Sequence, residues 1–588
     1  MCGIAGLMTL TGTEPEVEAV RCMGETLGHR GPDGEGDYFG PGIGLIHRRL
    51  AIIDLETGKQ PLFHPAGFCL VANGEIYNYV ELRKQFDQTK FLTQSDCEIP
   101  LYLYDRDGER YATGLRGMYA IALFDKIDRR LLLSRDPFGI KPLYYCEGSF
   151  GFAFASEPRA FFESGLCKPI LRREAARELL QLQFTVGSST AFENIFRVLP
   201  GETLVIEAGR IVRRHFTAAL PKNGPVKVTL DVAVAEVERT LQQSVLVHQR
   251  SDVPYGMFLS GGVDSSTLLL QMTRLTQKSV KAYTIGFPDT NAVDEREHAR
   301  NVALALGADH VEVEFTENDF WRLTPKIINI MDDPVADYAA LPTYKLAERA
   351  AKDVKVILSG EGGDEIFGGY GRYRSVVRPW HFLKRAMRSK GALSGLGLLR
   401  DDNRDWRQGM ITATELATSL ERSPLQIAQA TDCSDWLAHD LLLKLDRCLM
   451  AVGVEGRTPM LDTYLAESIF LFPDSFKIKG KSGKWILRKW LESSLPVSKP
   501  FSRKRGFSVP VGEWISRKGD ILGPLVAMQP VIAEFCDPET VKRVFNMQGK
   551  REGFASWILL FFALWYKRHI EGQMLDGDVF NCLRIGAK

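Results

Sequence analysis

Ser260-Gly261-Gly262-Val263-Asp264-Ser265-Ser266 stands between two apolar runs, Met257 to Leu259 before it and Thr267 to Leu270 after it. The first run has the length of a buried strand, and the second opens a helix-like segment. The seven residues therefore read as a strand-to-helix turn. Glycines let backbone N–H groups approach an anion, serine hydroxyls add donors, and a helix N-terminus supplies a positive dipole. The string predicts a phosphate cradle, with Asp264 placed to hold a Mg²⁺ that bridges phosphates. It is not a GxxxxGK[ST] loop, because that pattern is absent here. A lone Gly-Gly turn would be read as a helix cap; seven such residues at one junction specify more.

On either side of the cradle the rhythm is regular. Residues 229–250 show helical spacing with Asp231 near the start, and then GMFLS, SSTLLLQMTRL, VKAYTIGF, EREHARNVALALGA, DHVEVEF and VKVILSG alternate between strand-like and helix-like segments. This alternation predicts a parallel sheet with helices on its faces. VKVIL leads into a second loop, Ser359-Gly360-Glu361-Gly362-Gly363-Asp364-Glu365. Its carboxylates would repel one another unless a cation or a charged substrate offsets them. From about residue 375 to the end the pattern is mainly helical, with little to interpret in 376–436. The apolar run Trp557 to Trp565 is too short for a bilayer and predicts a buried helix.

Upstream, the Pro-, Gly- and Lys-rich stretch 217–228 reads as a linker. The ~210 residues before it read mostly as strands and tight turns. MYAIALFD (118–125) with RRLLLSRD (129–136) forms one expected hairpin, and TLVIEAGRIVRRHF (203–216) another, turning at Gly209. The division expected is 1–216, a linker at 217–228, and 229–588.

A chain of 588 residues is too long for one core. Its 74 basic and 73 acidic side chains nearly cancel, which argues against a general nucleic-acid binder. The ten cysteines include no CxxC pair, so a reducing cytoplasm is the simpler expectation. The opening MCGIAG lacks the basic and apolar regions of a secretory signal.

Cys2 follows Met1 directly. Removal of Met1 would leave a thiol beside a free α-amine, whose reference pKa of about 8 suits it to act as the local base. One cysteine at this position proves nothing. It is accompanied, in order, by HRGPDG (29–34), HRRLAIID (47–54), NGEIYN (73–78) and SDCE (95–98).

That ordered set resembles the glutaminase domain of class II amidotransferases. The 260–266 string resembles the SGGxDS loop of enzymes that cleave ATP to AMP and pyrophosphate. Together the two halves resemble the glutamine-hydrolysing asparagine synthetases. The resemblance covers 1–370 and resumes at KLDRCLMAVGVEGRTPMLD (444–462), GKSGKWILRKWL (480–491) and KRGFSVP (504–510). DPFGIKPLYY (136–145) and FASE (154–157) are further family-like strings, expected at the contact between the halves.

The resemblance implies an αββα N-terminal nucleophile hydrolase sandwich, followed by an α/β parallel-sheet, adenine-nucleotide-hydrolase-like domain with a helical C-terminal part. It implies that Cys2 is the nucleophile, that Asn73 and Gly74 form the oxyanion hole, and that Arg49 binds the glutamine carboxylate. Glu75 and Asp96 would hold the α-amino group, with Leu50, Ala51, Ile52 and Ile53 lining the pocket. ATP would lie on Leu259, Ser260, Gly261, Gly262, Asp264, Ser265, Ser266, Ile285, Ser359 and Gly360. Asp264 and Asp364 would be Mg²⁺ ligands. Glu361 would assist acyl-adenylate formation and ammonia attack, and Lys484 would stabilise the departing pyrophosphate. Asp333, Asp337, Glu455 and Arg457 are left as acceptor or structural contacts.

The partners implied are glutamine, ATP and an acceptor, aspartate first, with no nucleic acid and no membrane; a homodimer is compatible. The sequence departs from the family near 455, where EGRTPMLD replaces a pattern closer to EVRVPFLD. The acceptor is therefore the open question. Aspartate is the first candidate, and a cell-envelope or natural-product carboxylate the second. The loops 254–266 and 359–365 argue against an amidotransferase of sugar or nucleotide synthesis. Intact Cys2, Arg49, Asn73 and Asp96 argue against a ligase with a dead first half, and the charged loops against a scaffold protein. Ammonia released at one site must reach the other without protonation, so an internal apolar passage is expected.

Overall fold

Two six-stranded antiparallel sheets face each other in the first part of the chain. One runs, in spatial order, Ile195–Arg197, Tyr144–Gly148, Gly151–Ala155, Gly3–Met8, Ile43–Arg49 and Gly34–Gly40; the other runs Arg210–Phe216, Glu202–Glu207, Arg130–Arg135, Gly117–Asp125, Phe68–Ile76 and Leu62–His64. The computed structural model describes residues 2–10, 13–86, 90–292, 294–377, 387–401, 406–502 and 509–584. Side chains alternate across each strand, as the pleat requires. Ile4 and Met8 enter the core between the sheets with Cys69, Val71, Ala120 and Ala122. Ala5 and Leu7 face the other way, into the core that holds Val20 and Met23 of the helix Val17–Thr26. Leu70, Ala72 and Ile76 likewise face away, onto the helix Ile99–Asp107. With both faces covered, the central strands read as continuous apolar runs, and the layering is αββα. Both expected hairpins form, the second turning at Gly209 with φ +70°.

Residues 217–229 carry neither helix nor strand. The helix that follows, Leu230–His248, is capped by Thr229, whose hydroxyl accepts from Val232 N–H at 3.5 Å; Asp231 lies inside its first turn. The third sheet is wholly parallel, in the order Asp309–Glu314, Lys281–Gly286, Tyr255–Phe258, Val356–Leu358 and Glu455–Arg457. Chain order reverses at Tyr255–Phe258, the topological switch point at which α/β sheets bind ligands. The loops 260–266 and 359–365 leave the C-terminal ends of the two adjacent strands there. The rest is mainly helical. Lys550–His569 is a helix buried on nearly every face from Ala555 to Trp565. It buttresses the loop 331–337: the indole N–H groups of Trp557 and Trp565 donate to Ala336 O at 2.8 Å and to Met331 O at 2.9 Å. No helix among the described residues is long and apolar enough to cross a membrane.

The two halves meet through an apolar cluster and buried charge. Leu50, Ile52, Met118 and Ile140 pack in one cluster with Leu358, Met450 and Met460. Arg30, fully buried, donates to Asp446 at 2.9 and 3.1 Å, to Glu157 at 2.8 Å, and to the carbonyl of Cys2 at 3.2 Å. Lys141 Nζ reaches Gly456 O at 3.3 Å, and Tyr144 donates to Asp333 at 2.9 Å. DPFGIKPLYY and FASE thus contribute to the contact between the halves.

Candidate active site

The first site is built on the end of strand Gly3–Met8 and on strand Phe68–Ile76. Cys2 is nearly buried, its backbone N–H donates to Asn73 Oδ1 at 3.0 Å, and its Sγ lies 4.0 Å from Leu50 O. Burial pushes the thiol up. The thiol form is therefore favoured over the thiolate. Asn73 Nδ2 is buried and has no partner. Buried donors are rarely left so, and an unmet N–H beside a nucleophile is what a developing oxyanion requires. Gly74 sits in the ladder opposite Tyr119, and a Cβ there would run into Met118 O. A side chain at this position would disturb the sheet before it touched chemistry.

Arg49 lies close enough to act on the Cys2 thiol, and its guanidinium donates to the carbonyls of Ile53, Asp54 and Leu55 at 3.4, 2.5 and 3.3 Å. Asp33 accepts from Ala51 N–H at 2.9 Å, so the turn 50–54 is held from both sides. Asp96 Oδ2 accepts from Ile76 N–H at 2.7 Å, and burial pushes its carboxyl up to about 6. Glu75 turns towards the second half, with Oε1 3.4 Å from Arg457 Nη2, while its Oε2 has no hydrogen-bond partner. Arg457 also holds Glu455 at 2.5 Å. Glu455 and Arg457 thus belong to the contact beneath the Cys2 site and do not line the nucleotide cavity. Asp333 is likewise structural, paired to Arg197 at 2.7 Å.

The second site is a cavity of about 770 Å³ at the switch point. Leu259 to Ser265, Ile285, Ser359, Gly360, Glu361, Asp364 and Lys484 all line it. Gly262 caps the helix Val263–Leu275 in an extended conformation, so the cradle opens onto a helix N-terminus as the sequence predicts. Two expectations need correction. The Ser266 hydroxyl is buried and donates to Gly261 O at 3.2 Å, so it does not face the cavity. Glu365 points away as well; it accepts from Tyr370 OH at 2.7 Å, and burial pushes it up to about 8. The crowding expected of three loop carboxylates is thereby relieved.

Lys484 Nζ bridges the remaining acids, at 2.5 Å from Asp264 and 2.8 Å from Asp364. It sits at φ +54°, uncommon for a residue with a Cβ, at the start of helix Trp485–Ser494. A Cβ on Gly369 would collide with Asp364 Oδ1 and Lys484 Cε, so glycine there makes room for the pair. Asp264 Oδ1 is buried without a partner. That orphaned oxygen facing a phosphate cradle fits Mg²⁺, which usually takes one or two carboxylates and completes its shell with phosphate oxygens and water.

Several cavity residues escaped the sequence reading. Lys444 pairs with Asp337 at 2.9 Å and approaches Glu361 at 3.6 Å. Gln183, Tyr338, Trp436 and Phe554 are among the other residues of the wall. Lys444 opens the family-like string 444–462, which could have singled it out; Gln183 and Trp436 come from stretches with no recognisable string. KRGFSVP falls largely outside the described residues, as does Met1.

An αββα sandwich with a cysteine at its edge, joined to a parallel sheet with a cavity at its switch point, fits a glutamine-dependent carbon–nitrogen ligase, and the family comparisons show that class. Residues 1–217 match the glutamine amidotransferase domain model and 236–567 the asparagine synthase model. The chain belongs to the asparagine synthase family. It is 32% identical to asparagine synthetase [glutamine-hydrolyzing] 1 of Bacillus subtilis, over 98% of both chains. To asparagine synthetase B [glutamine-hydrolyzing] of Escherichia coli it is 29% identical, over 90% of this chain and 86% of that one. It is also 32% identical to amidase chry2 of Gibberella zeae, over 65% of this chain and 61% of that one.

Proposed function

We propose that the chain makes asparagine from aspartate, ATP and glutamine, with 1–216 as glutaminase, 217–228 as linker and 229–588 as synthetase. The observation that carries this is one chain that sets Cys2 against Asn73 and, in a separate cavity, gathers the 260–266 and 359–365 loops about Lys484. Once Met1 is removed, the α-amine of Cys2 takes the thiol proton and Sγ attacks the glutamine side-chain amide. Asn73 Nδ2 and Gly74 N–H donate to the oxyanion, Arg49 holds the substrate carboxylate, and Asp96 with Glu75 holds its ammonium. Ammonia leaves, and water clears the thioester to glutamate.

In the cavity, the acceptor carboxylate attacks ATP, forming an acyl-adenylate and expelling pyrophosphate. Lys484 and the N–H groups of 260–266 take up the charge that grows on the leaving group. Asp264 and Asp364 would hold Mg²⁺, which would supply positive charge against the phosphates. Glu361, pushed up by burial, accepts the proton that attacking ammonia sheds. Ammonia travels through the apolar contact that joins Leu50, Ile52 and Met118 to the parallel sheet.

Pyrophosphate release with ATP, Mg²⁺ and glutamine is expected to depend on aspartate and to yield asparagine. Glutaminase activity without aspartate-stimulated release would instead favour a second reading, amidation of a different carboxylate. The likeness to an enzyme named an amidase gives that reading its support.

The Asp96 carboxyl sets a pH dependence. Its pKa is raised to about 6, so the ionised form that pairs with ammonium is lost as pH falls through that value. Protonation of the Cys2 α-amine lowers kcat and kcat/KM alike as pH falls; in the free enzyme Asp96 adds a further fall of about tenfold per pH unit to kcat/KM for glutamine below roughly pH 6. A bound ammonium favours the carboxylate, so kcat should escape this added fall until lower pH. Glutaminase profiles check this, and a ratio of kcat/KM to kcat that stays level down to about pH 5 would remove Asp96 as the ammonium partner.

A further inference from the structure

The SDCE turn holds a thiol that the proposed steps leave unused. Cys97 follows Asp96, the expected ammonium partner, and is 4% exposed. A buried cysteine usually only fills space. The sheet edge beside this one gives it more to do.

The strand Phe68–Ile76 pairs on one side with Gly117–Asp125, and on the other its pairing with Leu62–His64 ends at Leu70. Tyr77 N–H donates to Arg116 O at 2.8 Å, on the Gly117–Asp125 side. Residues alternate along an antiparallel ladder, so Ala72, Gly74 and Ile76 turn their N–H and C=O groups to the opposite edge. Side chains take the place of a strand there. Gln60 Oε1 accepts from Ala72 N–H at 2.6 Å, and His47 Nε2 lies 3.2 Å from Ala72 O. Asp96 Oδ2 accepts from Ile76 N–H at 2.7 Å, and Cys97 Sγ lies 3.7 Å from Gly74 O. None of these side chains takes Gly74 N–H, the expected oxyanion donor beside Asn73 Nδ2. That donor belongs to a glycine, the residue whose backbone is least restrained on its own.

Cys97 is held in place. Ser95 Oγ accepts from Cys97 N–H at 3.3 Å, and Arg83 donates to Ser95 O at 2.7 Å. Glu98 accepts from the N–H groups of Leu92 and Thr93 at 2.7 and 2.8 Å. Burial pushes the Cys97 thiol well up, so it stays protonated and able to donate. Its hydrogen has another acceptor in reach, Asp96 Oδ2 at 3.6 Å, but that oxygen already takes Ile76 N–H.

We propose that Cys97 is a positioning residue of the glutaminase: its S–H donates to Gly74 O and so aims Gly74 N–H at the oxyanion that forms when Cys2 attacks. This rests on the reading of Cys2, Asn73 and Gly74 as the glutaminase site. The effect belongs to the transition state, because bound glutamine carries no oxyanion.

The test uses the full chain, with glutamate formed from glutamine as the readout. Cys97→Ala should lower kcat by about tenfold, less than the hundredfold or so of deleting an oxyanion donor outright. KM for glutamine should stay within about twofold, as for an interaction made only in the transition state. Cys97→Ser, which puts a hydroxyl donor where the thiol stood, should recover most of the parent kcat. Ammonia-dependent synthesis should be unchanged in both variants and reports their folding.

A parent-like kcat in Cys97→Ala would overturn the proposal. Equal losses in the alanine and serine variants would overturn it too, by reducing the sulfur to packing, as would loss of ammonia-dependent synthesis alongside. A raised KM for glutamine with kcat unchanged would give the thiol to Asp96 instead and refute the link to Gly74. Absence of glutaminase activity in the parent protein would overturn the underlying reading itself.

Discussion

Cys2→Ala should abolish glutamine-dependent synthesis and leave ammonia-dependent synthesis within about twofold of the parent, because only the nucleophile is lost. The substitution removes one sulfur atom at a site with little exposed surface. It retains the backbone N–H bonded to Asn73 Oδ1 and leaves the carbonyl that Arg30 holds. No charge is stranded, so the contact between the halves should survive. The glutaminase should fall by roughly 10⁴-fold or more, the scale for deleting a covalent nucleophile. Asparagine formed from ammonium chloride, measured beside glutamate formed from glutamine, gives both numbers from one preparation. Loss of both activities would refute two separable sites. Persistence of the glutaminase would refute Cys2 as nucleophile.

The strand-to-helix turn at 260–266 was legible from sequence because its shape is carried by backbone. Close approach of N–H groups demands glycine at adjacent positions, and the seven residues are contiguous. The parallel sheet was legible for a related reason, since strands covered on both faces must be apolar throughout. Side-chain chemistry assembled from distant segments was far less readable. Glu75 resembles a glutamine ligand in its local string, yet the structure sets one of its oxygens against Arg457, 382 positions later. Glu365 belongs to the second loop in sequence but leaves the cavity, because its helical turn points it at Tyr370. What sequence cannot supply is which charges share a partner, and that sharing decides which of them remain for substrate.

The same logic explains why the halves can be tested apart although they are packed together. Arg30 ties the Cys2 carbonyl to Asp446, which lies two residues from Lys444 in the cavity wall. These are buried, multiply bonded charges. Truncating one would leave its partners uncompensated and cost about 3–5 kcal/mol. Substitutions at the contact would therefore mix stability with coupling. Changes confined to either cavity should not.

Asp264→Ala is the matching test of the second site. It should lower aspartate-dependent pyrophosphate release by about 10³-fold or more, comparable to deleting a group that stabilises transition-state charge. Glutaminase activity should remain measurable. Asp264 is one of two acids on Lys484, and the lysine keeps Asp364 at 2.8 Å, so the variant does not strand a buried ammonium. The helix Val263–Leu275 keeps its cap, because that is the Gly262 backbone. What is lost is the buried oxygen with no protein partner, Asp264 Oδ1, together with the second contact to Lys484. If that oxygen serves Mg²⁺ on the phosphates, Asp264→Asn should fail nearly as badly as alanine. Raising Mg²⁺ should then restore pyrophosphate release and asparagine formation together, since one pyrophosphate leaves for each asparagine made. If Asp264 serves only to position Lys484, asparagine at this position should retain much of the activity, since its amide oxygen can still accept from Nζ. Normal synthesis by the alanine variant would remove the 260–266 loop from the reaction, and with it the assignment of the cavity to ATP.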